Sequence, residues 1–433
     1  MVEMESTSAT IPVGFKQTEI GLIPEEWMVK PIGELLQFKN GLNKAKEFFG
    51  FGTAIINYMD VFTHSGISVN DIEGKVAVTV QEKSNYSTKR GDVFFTRTSE
   101  TVGEIGISAV LLGDLEDGVF SGFVLRGRPF SNLLTPNFSK YCFGTYSVRK
   151  QIISSASYTT RALTNGRLLS RVNLMIPSSI DEQYRISETI TDSDSQIQAL
   201  ELLISKKRDI KQGTMQELLT GKTRLPGFGD DWITVKISDI TKKIMGGGTP
   251  SRPIKKYWKG NVPWVTVKDF SKFDPEQTIE SITELGLLKS SSNLVEAGVL
   301  IISTRMAIGK AVIYSVNVAI NQDLKAVYFH PGTNPRWIFY WFNLYEHTLS
   351  ALGSGSTVDG ISLEDLRQIE IFYPSSVEEQ GAIAVVLSDM DKEIATLEKR
   401  LEKAKAINKG IMQQLLTGRI RLVEPSTSVE DSA

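Results

Sequence analysis

Two segments of this chain, residues 182–225 and 379–422, repeat one another without a gap at a constant offset of 197 residues. The spacing indicates two halves of one architecture rather than a solenoid of short period. A chain built in this way is expected to meet a target that also has two halves. The identical pairs include Glu182/Glu379, Gln183/Gln380, Asp192/Asp389, Asp194/Asp391, Ile197/Ile394, Gly213/Gly410, Met215/Met412 and the Leu-Leu-Thr-Gly runs at 218–221 and 415–418.

Length and composition limit the class of protein. A chain of 433 residues with 41% hydrophobic content is expected to form two or three globular domains. No apolar run reaches the roughly 18 residues of a membrane-spanning helix, and the first residues lack the pattern of a secretory signal. The single cysteine, Cys142, excludes an internal disulfide framework, and three scattered histidines predict no familiar zinc site. We therefore expect a cytoplasmic protein.

The chain is expected to run globular domain, helix, globular domain, helix. Short β-prone runs separated by turn residues fill both globular parts, so each is predicted to be mixed α/β (α+β). The predicted boundaries are 1–178 and 223–375 for the globular domains, 179–222 and 376–420 for the helices, and 421–433 for a disordered tail. The predicted strands include 75–80, 92–96, 172–177, 262–267, 298–303, 310–316 and 369–374, and single helices are predicted at 138–155 and 335–352.

The repeated segments carry the heptad spacing of a helix–helix seam, in which apolar residues alternate at four and three positions. A pseudo-two-fold relation between the halves would make this pair an antiparallel coiled coil, and about 36 residues would extend on the order of 54 Å. Two surface helices, each packed on its own domain, remain the alternative. The predicted seam residues are Ile186, Ile190, Ile197, Leu200, Ile204 and Leu218 in the first helix and Ile383, Leu387, Met390, Ile394, Leu397, Leu401, Asn408 and Leu415 in the second.

The globular halves share a scaffold but differ in their loops. The Glu26-Trp27 and Asp231-Trp232 pairs match at the start of each half, and Val102-Gly103 matches Ile308-Gly309 after a shared strand. Loop length and chemistry differ elsewhere. Equal scaffolds with unlike loops suggest one task performed on two different targets.

The strongest ligand-binding signal is the stretch 246–268, which holds five Lys and Arg residues and no acid although the net charge is −2. Cations neutralise phosphates, glycines allow close backbone approach, and aromatic rings pack on sugar or base. A flexible solvated loop around a buried Trp258 is the alternative. The predicted DNA-binding residues are Gly247, Gly248, Thr249, Arg252, Lys255, Lys256, Tyr257, Lys259 and Arg305 in the second half and Lys89, Arg90, Arg97, Tyr158, Arg161 and Arg167 in the first.

Patterns that suggest catalysis have simpler explanations. The run Thr220–Thr223 resembles the end of a phosphate-binding loop, but it lacks the upstream glycine and closes a helix. The Asp192/Asp194 and Asp389/Asp391 pairs have i, i+2 spacing, so the two carboxylates of a pair do not face each other on a helix. We expect solvated or interface roles for them. The sequence therefore predicts a recognition protein with no catalytic or metal-binding residues of its own.

Several motifs spread over nearly the full length of the chain form one signature. They are the run Thr18–Trp27, the run Leu225–Phe228 with Asp231-Trp232, the runs Gly246–Pro250 and Asn321–Ala326, the Glu-Gln pairs at 182–183 and 379–380, and both Leu-Leu-Thr-Gly runs. In these motifs the chain resembles the specificity subunit of type I restriction-modification enzymes. The first half departs from the pattern, because it lacks the triple glycine of 246–248 and the Asn-Gln-Asp run of 321–323.

The resemblance implies a prokaryotic DNA-binding subunit with two target recognition domains, each of which reads one half of a bipartite site in double-stranded DNA. The helices would set the spacer between the half-sites. Two modification subunits would supply S-adenosylmethionine and an adenine-N6 methyltransferase site. Two restriction subunits would add ATP- and magnesium-dependent cleavage, so no cofactor is expected on this chain.

Three alternatives compete with this interpretation. The chain would be an enzyme in its own right if the glycines at 246–248 held a nucleotide. It would be a coiled-coil scaffold if it made no contact with DNA. It would be the specificity subunit of a related combined restriction-methylation system if its partners joined both activities.

Overall fold

A computed structural model describes residues 11–158, 160–271, 273–353 and 361–422. The chain divides into two compact units, and each is described by itself. Unit 1 comprises the described residues up to Ala199 together with those from Leu401 onward, and unit 2 is Leu200–Arg400. Most of the predicted tail, residues 423–433, lies outside the described residues.

Unit 1 contains a mixed α/β domain. Its strands are β1 (Phe15–Thr18), β2 (Gly21–Pro24), β3 (Trp27–Pro31), β4 (Leu36–Asn40), β5 (Phe49–Ile56), β6 (Gly66–Ile67), β7 (Lys75–Val76), β8 (Val93–Thr96), β9 (Thr98–Ser99), β10 (Ser108–Leu111), β11 (Val119–Phe120), β12 (Val124–Pro129), β13 (Ser157–Tyr158), β14 (Ala162–Leu163) and β15 (Asn173–Pro177). Its short helices are α1 (Ile32–Leu35), α2 (Tyr58–Thr63), α3 (Val80–Asn85), α4 (Pro136–Cys142), α5 (Tyr146–Ser155) and α6 (Gly166–Leu169).

Unit 2 contains a second domain of the same class. Its strands are β16 (Trp232–Lys236), β17 (Thr241–Gly246), β18 (Trp258–Val265), β19 (Glu280–Ile282), β20 (Asn293–Val295), β21 (Leu300–Ser303), β22 (Ala311–Ile313), β23 (Val318–Ile320), β24 (Leu324–Phe329) and β25 (Glu370–Pro374). Its short helices are α8 (Ile237–Ile240), α9 (Glu284–Leu288), α10 (Pro335–Leu344), α11 (Glu346–Gly353) and α12 (Leu363–Gln368).

The two long helices are α7 (Ile180–Leu218) and α13 (Val377–Leu415), and each is 39 residues long.

The two domains share a strand order. The larger sheet runs β4-β12-β8-β10-β6 in unit 1 and β17-β24-β21-β22 in unit 2. In the second sheet of unit 1, β5 pairs in parallel with β11 and antiparallel with β7. In the second sheet of unit 2, β18 pairs in parallel with β23 and antiparallel with β19. A two-stranded ribbon, β3 with β15 or β16 with β25, completes each domain. The internal repeat therefore extends to the topology of the globular parts.

The long helices pair antiparallel, and the pairing is visible inside each unit. In unit 1, Asn408 of α13 donates to Asp194 of α7 over 2.9 Å, and the hydroxyl of Tyr141 donates to the same carboxylate over 2.8 Å. In unit 2, Lys211 of α7 donates to Asp391 of α13 over 2.5 Å, and Tyr340 donates to Asp391 over 2.7 Å. Asp194 and Asp391 are thus interface residues, whereas Asp192 and Asp389 are exposed. The predicted antiparallel pairing is confirmed.

The predicted seam residues lie at or near this pairing. Ile186, Ile190 and Leu415 are part of the unit 1 core, which also contains Trp27. Leu218, Ile383 and Leu387 are part of the unit 2 core, and Met390 packs against it. The buried positions are Ile186, Ile190, Leu200, Ile204, Leu218, Ile383, Leu387, Ile394, Leu397, Asn408 and Leu415, and the half-buried ones are Ile197, Met390 and Leu401.

The repeated glutamine attaches each long helix to its domain. The Gln183 amide donates to the carbonyls of Leu133 and Pro177 over 2.8 and 3.1 Å and accepts from the Thr135 N–H over 2.9 Å. Buried backbone groups need such partners, because water cannot reach them. Gln380 repeats the arrangement with the carbonyls of Gly332 and Pro374 and the N–H of Asn334.

The repeated glutamate binds the arginine that follows the opposite helix. In unit 1, the buried carboxylate of Glu182 accepts from both Nε and Nη2 of Arg421 and from the indole N–H of Trp27. In unit 2, Glu379 accepts from Nε and Nη2 of Arg224 over 2.6 and 2.7 Å. Burial lowers the pKa of Arg421, but the bonds to Glu182 and Glu26 together outweigh burial, so that this pKa is raised. The bond to Glu379 likewise raises the pKa of Arg224. A bidentate pair with one buried partner fixes both geometry and charge.

Several local predictions were wrong. The single helices predicted at 138–155 and 335–352 are each two helices, broken near Gly144 and Tyr345. The strand predicted at 75–80 is only the short β7, because α3 begins at Val80. Gly106, rather than Gly103, matches Gly309: both have a positive φ, and a Cβ at either would meet the helix packed against it. Within the described parts of the chain, no helix is both long and apolar enough to cross a membrane.

We predict that Gln183→Leu lowers the free energy of unfolding by about 3 kcal/mol, because each buried backbone group left without a partner costs about 1–3 kcal/mol. Urea unfolding of the full chain measures the effect. Gln196→Leu, at an exposed glutamine of the same helix, is the control and should change stability by less than about 0.5 kcal/mol. Equal shifts in the two variants would contradict the assigned role of Gln183.

Candidate nucleic-acid interface

Three loops of unit 2 meet at one edge of its larger sheet. Gly247 follows β17 and packs so tightly that a Cβ there would lie 2.0 Å from the carbonyl oxygen of Ile320. The N–H of the neighbouring Gly248 donates to the same Ile320 oxygen over 3.0 Å. The carbonyl of Gly248 accepts from the indole N–H of Trp264 over 3.2 Å. Only glycine fits at position 247. The triple glycine therefore serves close packing between loops.

The Asn-Gln-Asp run lies against the same glycine loop. The hydroxyl of Thr249 donates to the side chain of Gln322 over 2.5 Å, and Asn321 donates to Asp323 over 3.0 Å. The carbonyl of Asp323 accepts from the N–H of Thr304 over 3.1 Å, which attaches the loop after β21. Two motifs that are about 70 residues apart in sequence thus form one polar site.

The third loop presents a cation and an apolar side chain to solvent. Arg305 is exposed, and Met306 is 84% exposed with a φ of 63°. A non-glycine residue in this region of φ is uncommon and is found most often where the backbone is constrained for function. Burial and then the Arg305 charge lower the pKa of Lys325. Arg305 and Lys325 thus place two basic side chains near each other at this edge.

The basic stretch that follows the glycine loop is an ordered structure. Arg252 donates to both oxygens of Glu280 and lies 3.9 Å from the ring centroid of Trp258. The Arg252 side chain nevertheless stays exposed to solvent. The backbone of Tyr257 is tied to the start of α9, where Thr283 N–H donates to its carbonyl over 2.9 Å. All five cations of the stretch are exposed, namely Arg252, Lys255, Lys256, Lys259 and Lys268.

Unit 1 brings together only part of its predicted set. Arg97 precedes β9, which pairs with β14, and β14 pairs with β13, where Tyr158 lies. Arg161 in the same hairpin lies 3.8 Å from Glu100. These three residues share one edge of the domain. Lys89 and Arg90 lie before β8, at the opposite end of that strand from Arg97, and Arg167 is exposed on α6.

Three further features of the described residues bear on metal binding and catalysis. Among them, no group of three or more His, Cys, Asp or Glu side chains could hold a metal ion. Cys142 is buried, which raises the pKa of its thiol. Gly221, with a φ of 72°, ends the turn after α7, so the run Thr220–Thr223 closes a helix instead of opening one. That geometry is the reverse of a phosphate-binding loop.

Comparison with known proteins decides the family. A family profile described as the type I restriction modification DNA specificity domain matches the chain twice, at residues 24–206 and 229–406. The chain belongs to this family. It is a specificity subunit with two recognition domains. The role of the family is non-catalytic and is exercised in a complex with other subunits and DNA.

Curated relatives and solved structures agree with this specificity subunit. The putative type I restriction enzyme MjaX specificity subunit of Methanocaldococcus jannaschii is 26% identical over 427 residues, covering 94% of this chain and 97% of its own. The EcoR124I/EcoR124II specificity subunit of Escherichia coli is 30% identical over 189 residues, or 40% of this chain and 46% of its own. The type I S subunit from M. genitalium shares the fold at 14% identity, with a TM-score of 0.59 over 90% of this chain and 96% of its own.

The sequence-based predictions for the interface missed Met306 and Lys325. The positive φ of Met306 has no sequence signature, because such a conformation is usually marked by glycine or asparagine. Lys325 is adjacent to the Asn-Gln-Asp run, but its closeness to Arg305 depends on the pairing of β21 with β24. The sequence gives no direct sign of that pairing.

We predict that Gly247→Ala destabilises unit 2 by about 1–3 kcal/mol, the usual cost of forcing a methyl group into a filled space. Thermal unfolding of the full chain checks this. Gly229→Ala is the matched control, since among the described residues nothing lies within 4 Å of a Cβ at that position. An equally small effect of both substitutions would show that the loop at Gly247 is not packed as described.

Proposed function

We propose that this specificity subunit directs its complex to a bipartite site in double-stranded DNA and that each recognition domain reads one half-site. The observation that supports this most strongly is the shared strand order of the two domains combined with unlike exposed loops at the same sheet edge. A scaffold built twice with different loop chemistry suits two unlike half-sites.

Exposed lysines would supply the affinity for the phosphate backbone. Lys255, Lys256 and Lys259 project from the ordered segment beside the glycine loop, and Arg252 anchors that segment through its bonds to Glu280. Lysine at this position contributes charge without base preference. The loops at the sheet edge would contribute the base preference.

The long helices would fix the distance between the half-sites and dock two modification subunits. Gly213 and Gly410 occupy equal positions of α7 and α13, and among the described residues nothing lies within 4 Å of a Cβ at either. Glycine inside a helix costs about 1 kcal/mol relative to alanine. Because internal packing does not require it, the glycine leaves room for the close approach of a partner.

An apolar side chain lies one helical turn before each of these glycines. Ile210 and Ile407 are also equal positions of the repeat, and they are 45% and 50% exposed. Residues three apart lie on the same helix face. The chain thus presents the same isoleucine–glycine patch twice, which supports two equivalent docking sites and two modification subunits.

Catalysis and cofactors would reside on the partners. We propose that S-adenosylmethionine and the adenine-N6 methyltransferase site belong to the modification subunits. ATP and magnesium would belong to two restriction subunits. The residues of this chain would contribute recognition and spacing, in the cytoplasm of a prokaryotic cell.

We predict that reversing the charge of Lys255, Lys256 and Lys259 to glutamate weakens DNA binding of the complex at least tenfold and reduces the salt slope by up to about 3. Salt titrations of duplex binding measure this. The control reverses Lys222, Lys236 and Lys242, of which Lys242 lies at the far end of β17 from the glycine loop. An unchanged salt slope would remove the basic stretch from the interface, and absence of duplex binding by the wild-type complex would favour a pure scaffold.

We also predict that Ile210→Asp together with Ile407→Asp weakens the binding of modification subunits at least tenfold, since a carboxylate would have to be desolvated at each patch. Sedimentation of purified mixtures measures the assembly. Leu202→Asp is the control, because Leu202 is 73% exposed but its repeat position is occupied by Lys399. Normal assembly of the double variant would reject these patches as docking sites.

A further inference from the structure

The common strand order allows the loops of the two domains to be matched where their sequences do not align. The order β4-β12-β8-β10 in unit 1 corresponds to β17-β24-β21-β22 in unit 2. The loop after β4 therefore matches the glycine loop after β17. The loop before β12 likewise matches the Asn-Gln-Asp loop before β24.

Backbone contacts fix this match to single residues. In unit 1, the N–H of Leu42 donates to the carbonyl of Phe120 over 2.9 Å, as the N–H of Gly248 donates to that of Ile320 over 3.0 Å in unit 2. Leu42 is thus the counterpart of Gly248. The loop that seemed to lack the triple glycine has the same path.

The close packing of one glycine is also shared. A Cβ at Gly41 would lie 2.0 Å from the carbonyl oxygen of Ser121. A Cβ at Gly247 would lie at the same distance, 2.0 Å, from the carbonyl oxygen of Ile320. Both positions require glycine because the facing backbone leaves no space. A single glycine at this point is therefore sufficient to build the loop.

The third loop of each domain joins in the same manner. The N–H of Arg97 donates to the carbonyl of Phe123 over 3.1 Å, and the N–H of Thr304 donates to that of Asp323 over 3.1 Å. Phe123 thus takes the place of Asp323. The run Ser121–Phe123 is the unit 1 counterpart of the Asn-Gln-Asp run.

The matched loops expose different chemistry. Phe123 is 63% exposed. The preceding residue, Gly122, packs against the exposed Asn43, because a Cβ at Gly122 would lie only 2.0 Å from the side-chain oxygen of Asn43. The corresponding edge of unit 2 exposes Gln322 and Arg305 beside Met306. An aromatic ring meets a thymine methyl or a base step, whereas a carboxamide pairs with adenine and a guanidinium with guanine.

We propose that Phe123 and Asn43 determine the bases read in one half-site and that Gln322 and Arg305 determine those read in the other. The assignment rests on the proposed function, and it does not give a base-reading role to the predicted DNA-binding residues Lys89 and Arg90. Those two cations lie at the other end of β8. The two half-sites differ because the matched loops expose Phe123 and Asn43 in one domain and Gln322 and Arg305 in the other.

The test uses the intact complex with modification subunits, S-adenosylmethionine and a library of randomised duplexes, with methylated adenines as the readout. Phe123→Ala and Gln322→Ala are compared with wild type. The control for Phe123 is Phe130→Ala, which is 61% exposed and lies just beyond the opposite end of β12. The control for Gln322 is Gln368→Ala, in α12.

We expect Phe123→Ala to relax base preference in one half-site by about tenfold and to leave the other unchanged, with Gln322→Ala acting on the other half-site alone. A second variant, Phe123→Gln, should shift the preferred base toward adenine at the affected position. Both control variants should keep the wild-type site. Unchanged bases in all loop variants, with a bipartite site still methylated, would overturn the assignment. Absence of any bipartite site in the wild-type products would overturn the proposed function and, with it, this assignment.

Discussion

The fold depends on a buried carboxylate that opens each long helix. Glu182 holds Arg421 and the indole of Trp27 in unit 1, and Glu379 holds Arg224 in unit 2. A carboxylate removed from water is strongly destabilising once its partner is lost, so the residues around it cannot vary independently. The adjacent glutamine supplies backbone groups of the domain with their missing partners. The glutamates, glutamines and arginines that make these contacts all lie in the gapless repeat, which spans both long helices and the arginine that follows each.

A constant frame permits variation at the opposite edge of each sheet. The loops there meet through backbone hydrogen bonds and one tightly packed glycine, Gly41 or Gly247, while side chains such as Phe123 and Met306 are exposed. A change at such a position alters what the domain presents to solvent but leaves the contacts to the long helices intact. Two such domains on one frame are suited to recognising two unlike sequences, and a non-catalytic role is compatible with a surface that makes contacts and performs no reaction.

The sequence predicted the parts of the structure that are periodic or repeated. Heptads and an exact offset indicated the paired helices. The i, i+2 aspartates were expected to be solvated or interface residues: Asp194 and Asp391 bond across the helix pair, and Asp192 and Asp389 are exposed. The interface was harder to predict, because its members meet through distant strand pairing. Arg252, which the sequence predicts to bind DNA, also bonds to Glu280, 28 residues later in the chain. Lys89 looks close to Arg97, yet β8 separates them. The first-half counterpart of the glycine loop was missed because one glycine fulfils the packing requirement there.

The central claim is that one chain reads two half-sites at a fixed separation. Mapping of methylated adenines across a genome, with and without this specificity subunit and with its modification subunits present, tests it most directly. The account predicts that methylation dependent on the subunit falls at two short base clusters separated by a gap of constant length and no base preference. A contiguous recognition sequence, a gap of variable length, or a methylation pattern unchanged by loss of the subunit would contradict it.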